Sequence, residues 1–213
     1  DLTTPDGVGT TLPLVVANMT AISGKRMAET IARRGGVAII PQDIPLDIVA
    51  ATVERVKAAH TVYDTPVTVS PGTTVGEAMS LIPKRAHGAV VVVEDDVVLG
   101  VVTERDGAEI DRFAQVREVM TTDVLTFPAG VDPTTCFNEM SAHHVDFAPV
   151  VDGGRLVGVL TRKAALRSTI YQPAVDPDGR LVIGAAVGIN GDVEGKAAAL
   201  LAMGIDVLVV DTA

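Results

Sequence analysis

The chain is poor in aromatic residues, in cysteine, in positive charge and in long apolar runs, and each shortage excludes something. Trp is absent and aromatic residues make up 3% of 213. The hydrophobic 47% is therefore Val, Ala, Leu and Ile, the usual filling of buried parallel strands and their covering helices. Cys136 is the single cysteine, which excludes an intrachain disulfide and fits a reducing compartment. Lys and Arg number 17 against 27 Asp and Glu, a net charge of −10 with a pI of about 4.7. Such a field repels phosphate backbones, so nucleic acid is not an expected partner. Single nucleotides stay open, because helix dipoles and a few basic side chains can hold them. Apolar runs such as Ala89–Val93 are far too short to cross a bilayer, and no basic, apolar leader opens the sequence. No membrane partner is expected, and the expected compartment is the cytoplasm.

What is present alternates. Residues 12–19, LPLVVANM, are apolar on both faces and predict a buried parallel strand. A helix is expected over Gly24–Arg34, with Met27, Ile31 and neighbouring alanines on one face and Gly35–Gly36 as its stop. Gly36–Ile40 reads as a second strand. Pro45 opens a second helix, along which Val49, Val53 and Val56 fall on one face. Leu181–Val187 is a third strand, Asp192 an N-cap, Gly204 a helix stop, and Ile205–Val210 a fourth strand ending at Asp211. Between about Tyr63 and Gln172 the texture differs, with short Val-rich strands, turns and acidic loops. The outer parts read β-α-β-α, insertion, β-α-β, which argues for a parallel sheet with helices outside it. Without residues 63–172, 103 residues remain. A complete eight-stranded barrel needs roughly 250. The outer parts are thus half a barrel or a smaller open sheet, and the sequence reads as a fragment with both ends missing.

The insertion repeats itself. Val93–Thr103 resembles Val151–Thr161, with Gly100 and Gly158, and Thr103 and Thr161, aligned at a spacing of 58. Each copy is expected to run strand, helix, strand, acidic hairpin turn, strand, helix. By their chemistry Asp95–Asp96 and Asp152-Gly153-Gly154 are the hairpin turns. The repeat resembles the tandem CBS (Bateman) module, whose Gly-x-x-Thr-x-x-Asp signature is complete at Gly100, Thr103 and Asp106. That resemblance implies a site for ATP or GTP: a Thr hydroxyl at a helix start meets phosphate, and the carboxylate one turn on accepts ribose hydroxyls. The second copy carries Thr161, Arg162 and Lys163 but Ala164, which cannot accept from ribose. Arg162 and Lys163 could hold phosphates. Thr103 and Asp106 also read simply as an N-cap threonine and a first-turn acid.

Two outer segments carry a second resemblance. Pro13–Thr20 with its helix and Gly35–Ile40, and Val182–Gly188 with its helix and Gly204–Ala213, are similar to the IMP dehydrogenase/GMP reductase family. The insertion point agrees with that family's CBS-bearing members. The resemblance implies an α/β fold, the first half of a (β/α)8 TIM barrel interrupted by a tandem CBS domain. Its expected parts are barrel over 1–62, CBS module over 63–172 (copies 63–119 and 120–172), and barrel again over 173–213. It places purine nucleotide at Ala17, Asn18 and Met19, and the nicotinamide cofactor at Asp211, Thr212 and Ala213. On residue type alone Met19 also reads as core filling and Asp211 as a cap.

Ala17-Asn18-Met19 is similar to GMP reductases, whereas Thr20 stands where both groups usually carry Asp, and the CBS insertion is commoner in dehydrogenases. The combination resembles the actinobacterial IMP dehydrogenase-related branch. It implies NADPH-dependent reductive deamination of GMP to IMP, regulated by ATP or GTP, in a homotetramer or octamer. Two alternatives stand: oxidation of IMP to XMP with NAD, and a non-catalytic nucleotide-sensing protein. The family nucleophile is a cysteine expected downstream of this chain, and a monovalent cation belongs to a loop outside it. No catalytic residue is therefore assigned, and Cys136, at the start of a helix in the insertion, is expected to be structural. No metal site is expected, since His143–His144 lack further ligands at metal spacing. Gly184, Gly188 and Gly191 lack the spacing of a dinucleotide fingerprint.

Overall fold

The structure, a computed structural model, describes residues 7–84 and 87–212. In chain order the elements are β1 (Val15–Val16), α1 (Lys25–Ala32), β2 (Val37–Ile40), α2 (Leu46–Ala58), β3 (Thr68–Val69), α3 (Val75–Leu81), β4 (Ala89–Glu94) and β5 (Val97–Thr103). They continue with β6 (Phe127–Pro128), α4 (Pro133–Ala142), β7 (Phe147–Asp152), β8 (Arg155–Thr161), α5 (Arg162–Ser168), β9 (Gly184–Gly188), α6 (Val193–Ala202) and β10 (Val207–Asp211). They form two compact units, one of residues up to Val62 with those from Arg167 onward, the other Tyr63–Leu166. Among the described residues no helix is long and apolar enough to cross a membrane.

The first unit is a four-stranded sheet, all parallel, in the order β1-β2-β9-β10. Skipping the insertion, each strand lies beside its predecessor. That is the winding of a (β/α) barrel, whereas a doubly wound sheet reverses direction. Both faces are covered, as parallel strands require. On one, Ala38, Ile40, Ala185 and Val187 meet Ala28, Ile31 and Ala32 of α1, Val49, Val53 and Val56 of α2, and Leu200 of α6. On the other, Val37, Ile39, Val182 and Ala186 pack together. Asp192 caps α6 by accepting from the Gly195 N–H at 2.9 Å, and Gly204 ends it with φ +92°.

Three expectations need correction. The first strand is short: only Val15 and Val16 pair, with Val37 and Ala38, and Leu14 and Val15 are exposed. Among the described residues β1 has one neighbour, so the apolar run covers no second flank. In α1, Met27 is over a third exposed while Glu29 is fully buried. A carboxylate sinks there because it is paired, with Arg55 Nε at 3.0 Å and Arg33 Nη1 at 3.5 Å. The third strand pairs only from Gly184, because the Ile183 N–H donates to the Asp206 carboxylate at 2.8 Å instead of to a neighbouring strand.

Asp206 belongs to an ionic knot at the amino-terminal end of the sheet. Lys57 Nζ lies 2.7 Å from Asp206 and 2.8 Å from Asp176, with Arg180 Nε 3.0 Å from Asp176. Burial pushes the Asp176 carboxyl up. Hydrogen bonds from Lys57 and the Arg180 backbone, the Lys57 charge and the Arg180 side chain outweigh it, and its pKa falls to about 2.

The second unit is a six-stranded sheet in the order β3-β4-β5-β8-β7-β6, palindromic in the two copies. The repeat seen in the sequence recurs in the ladders. Ala89 pairs with Thr103 and Phe147 with Thr161, and both hairpins slip register at the same place, Val92/Val93 and Val150/Val151. Asp95 and Asp96, and Gly153 and Gly154, all have positive φ, as two-residue type I′ turns demand. The copies also exchange single bridges. Asp64, at the start of the first copy, bridges Val159 of the second, and Thr121, at the start of the second, bridges Val101 of the first. The aligned glycines sit under these crossings. A Cβ at Gly100 would lie 2.7 Å from the Thr121 carbonyl, and one at Gly158 2.6 Å from Tyr63 Cβ. The copies differ at their ends: α5 follows Thr161, but only turns follow Thr103. The second unit closes at Leu166, short of the expected 172. Residues 172–174 are bound to the first unit, with Thr11 Oγ1 donating to the Gln172 carbonyl at 2.5 Å and Ala174 N–H to that of Ala32 at 2.7 Å.

Candidate functional site

The carboxyl ends of barrel strands are where loops gather polar groups. Beyond β1 the chain turns tightly. Met19 N–H donates to the Ala17 carbonyl at 2.8 Å, and Ile22 and Ser23 N–H groups fold back onto that of Met19 at 2.9 and 2.8 Å. This turn leads into α1 and leaves Met19 55% exposed. Core filling is thereby excluded within this unit, and the thioether is presented at the strand ends.

Asn18 Nδ2 donates to Asp211 Oδ2 at 2.6 Å across 193 residues of sequence. β1 and β10 are opposite edges of the sheet, so in a flat sheet they stand about 14 Å apart, at about 4.8 Å per strand. Two short side chains cannot span that. The sheet is therefore curled at this end, and the tips of its first and last strands face a common space. The other strand ends are joined to the same rim. Thr20 Oγ1 faces the Asp43 carboxylate at 3.3 Å. The Lys196 ammonium donates to the Gln42 carbonyl, and the Gln42 amide lies where a Cβ at Gly188 would be.

The structure thus brings Ala17, Asn18, Met19 and Asp211 to one rim, with Thr212 exposed directly after β10. Ala213 lies outside the described residues. Sequence reading missed Gln42, Asp43 and Lys196. The signal available was positional: Gln42 and Asp43 come just after the buried strand β2, as Asn18 comes just after β1.

The residues expected to hold a regulatory nucleotide divide differently from expectation. Asp106 Oδ2 accepts from both the N–H and the hydroxyl of Thr103, at 2.7 and 2.8 Å. Thr103 starts no helix, so the expected helix dipole is absent from the first copy and the carboxylate is turned back on its own threonine. In the second copy Thr161 does cap a helix, accepting from the Ala164 N–H at 3.0 Å. Arg162 there is 2.7 Å from Asp146, while Lys163 is exposed. One copy has the carboxylate without the helix, the other the helix without the carboxylate. Cys136 is buried in α4, and burial, then the Asp132 charge, push its thiol up, the reverse of what a nucleophile needs.

A parallel sheet wound strand after strand, curled so that polar side chains of its outer strands meet at the carboxyl end, defines the class as a (β/α) barrel, present here in part. The chain belongs to the IMP dehydrogenase / GMP reductase family: the model of that domain matches residues 3–213. It is 54% identical over 214 residues to the GMP reductase of Mycobacterium tuberculosis (strain ATCC 25618 / H37Rv), covering 100% of this chain and 45% of that protein. To the inosine-5'-monophosphate dehydrogenase of the same strain it is 38% identical over 208 residues, 95% of this chain and 39% of the other. In structure it is similar to GMP reductase from Trypanosoma brucei in complex with guanosine 5'-triphosphate, with TM-score 0.68 and 27% identity over 95% of this chain and 51% of that one. The chain spans about half the length of the curated relatives it matches.

Proposed function

We propose that this chain is the amino-proximal half of a GMP reductase, which replaces the 2-amino group of GMP by hydrogen and releases it as ammonia, giving IMP. The observation that carries the reading is the Asn18–Asp211 contact, which sets the Ala17-Asn18-Met19 turn and the end of β10 on one rim. It is supported by the higher identity to a GMP reductase than to a dehydrogenase, 54% against 38%. In this reading the exposed Met19 thioether packs on the purine, a contact suited to a polarisable sulfur. The Asn18 amide fixes the Asp211 carboxylate, which with Thr212 offers acceptors to the ribose of the cofactor. NADPH, when bound, supplies the hydride. An exposed turn carrying an amide and a thioether beside a half-buried carboxylate fits such a pair of ligands. No nucleophile is assigned to this chain, whose one cysteine, Cys136, is buried with its thiol pushed up.

The twofold-repeated unit is read as a CBS module that binds ATP or GTP. Its support is the matched register of the two hairpins and the Gly100, Thr103, Asp106 set. The assay uses the full-length protein. NADPH oxidation that depends on GMP is expected. NADH formation from IMP and NAD, with no GMP-dependent signal, would sink the reductase reading.

A further inference from the structure

Helix α1 has the Met19 turn at one end and both connections to the inserted unit at the other. At its start, Ile22 and Ser23 N–H groups hold the Met19 carbonyl, and the Ala28 N–H donates to that of Gly24. At its end, Arg33 Nε donates to the carbonyl of His60 at 2.8 Å, two residues before the first unit gives way to the second. The returning chain docks on the same turn. Ala174 N–H donates to the Ala32 carbonyl at 2.7 Å, and the Gln172 carbonyl accepts from Thr11 Oγ1 at 2.5 Å. Gly35 leaves room for it, since a Cβ there would lie 2.8 Å from the Gln172 carbonyl. Arg33 is itself held, its side chain 9% exposed and its Nη1 3.5 Å from buried Glu29, which also binds Arg55 of α2 at 3.0 Å.

Eight residues of helix are about 12 Å of stiff rod at about 1.5 Å per residue. A pull on either connection reaches the Met19 turn with little loss. Helix shifts of about 1–2 Å are an ordinary switching motion, and about 1 Å of misplacement near a reacting centre costs about a hundredfold in rate. We propose that Arg33 is a positioning residue, through which the connections of the inserted unit set the place of Met19 at the substrate rim. This rests on the reading of the inserted unit as a nucleotide sensor and names how that sensor acts.

The test uses full-length protein. Arg33→Lys replaces the planar fork, whose Nε meets the His60 carbonyl while Nη1 faces Glu29, by a single point donor that no longer holds the two in that geometry. Thr11→Val cuts the returning chain's side-chain tie, and carries the test if the first variant fails to fold. Arg55→Lys disturbs Glu29 but neither connection. In the wild type, ATP or GTP is expected to change the KM for GMP within the usual coupling range of about 5- to 150-fold. In Arg33→Lys and Thr11→Val that ratio should shrink below about twofold while nucleotide affinity holds. Arg55→Lys should keep the ratio. The Met19 methyl resonance in 13C-methionine-labelled protein should follow nucleotide in the wild type and not in Arg33→Lys. Full retention of the KM ratio in both cut variants overturns the proposal. A wild type that binds neither nucleotide sinks the sensor reading instead. The relay then stands if Arg33→Lys alone shifts the Met19 methyl and Arg55→Lys does not, and falls if neither does.

Discussion

Single residues set the tolerance of this fold. Gly100 and Gly158 are fixed by close neighbours, the Thr121 carbonyl and the Tyr63 side chain, rather than by their own torsions. Thr121 is held to Val101 by hydrogen bonds of 3.0 Å in both directions, so the Thr121 carbonyl cannot retreat from a new methyl at Gly100. Gly100→Ala is expected to cost about 1–3 kcal/mol in chemical denaturation. Gly72→Ala, with nothing within 4 Å, should stay within about 0.5 kcal/mol of wild type. Asp176 makes a pH-dependent prediction. Its pKa of about 2 lies below the ordinary 3.8, so its carboxylate stabilises the fold above about pH 4 and loses that contribution as pH falls towards 2. Asp176→Asn should therefore lower stability by about 2–3 kcal/mol at neutral pH, with the gap to wild type closing below pH 3. Thermal melts from pH 7 to pH 2 would show it; a gap that stays constant with pH would contradict it. The glycines were visible in sequence as aligned positions. The knot was not, because Lys57, Asp176 and Asp206 are distant in sequence and each reads as an ordinary surface charge.

At the scale of elements, the two copies of the repeat differ in what their threonines do. Thr161→Ala removes a helix cap and should cost about 1 kcal/mol. Asp106→Ala removes no helix cap. It releases the N–H and hydroxyl of Thr103, so the turn after β5 should exchange its amide protons faster while the melting temperature moves little. In the full-length protein the same variant should weaken the response to ATP or GTP and leave unregulated turnover intact. The hairpins and their turns were legible because period-two apolar strands and acidic or Gly-Gly turns are local signals. The missing helix after Thr103 was not legible: a Thr-x-x-Asp segment closes the same reciprocal bond whether or not a helix continues. Burial of Glu29 was also hidden, since a helix carrying one acid on its apolar face looks like a misplaced surface residue until Arg33 and Arg55 are seen beside it.

At the scale of the whole molecule, the first unit takes its chain back at the turn where it let it go. Replacing residues 63–166 in the full-length protein by a short Gly-Ser linker is expected to leave GMP-dependent NADPH oxidation and abolish any effect of ATP or GTP. Loss of turnover in a variant that still melts cooperatively would show that the inserted unit is needed for the reaction itself. The sequence by itself determined the alternation of strands and helices in the first unit, its fourfold parallel count, the internal repeat and the residues at the strand tips, because periodicity, turn chemistry and caps act over a few neighbouring residues. Only the tertiary structure decided that the sheet curls far enough for Asn18 to reach Asp211, that the repeats exchange single bridges over two glycines, and that both connections end on one turn of α1. Those outcomes are contacts between residues far apart in the chain, chosen by which buried charges find partners and which backbones can approach, and no local pattern encodes them.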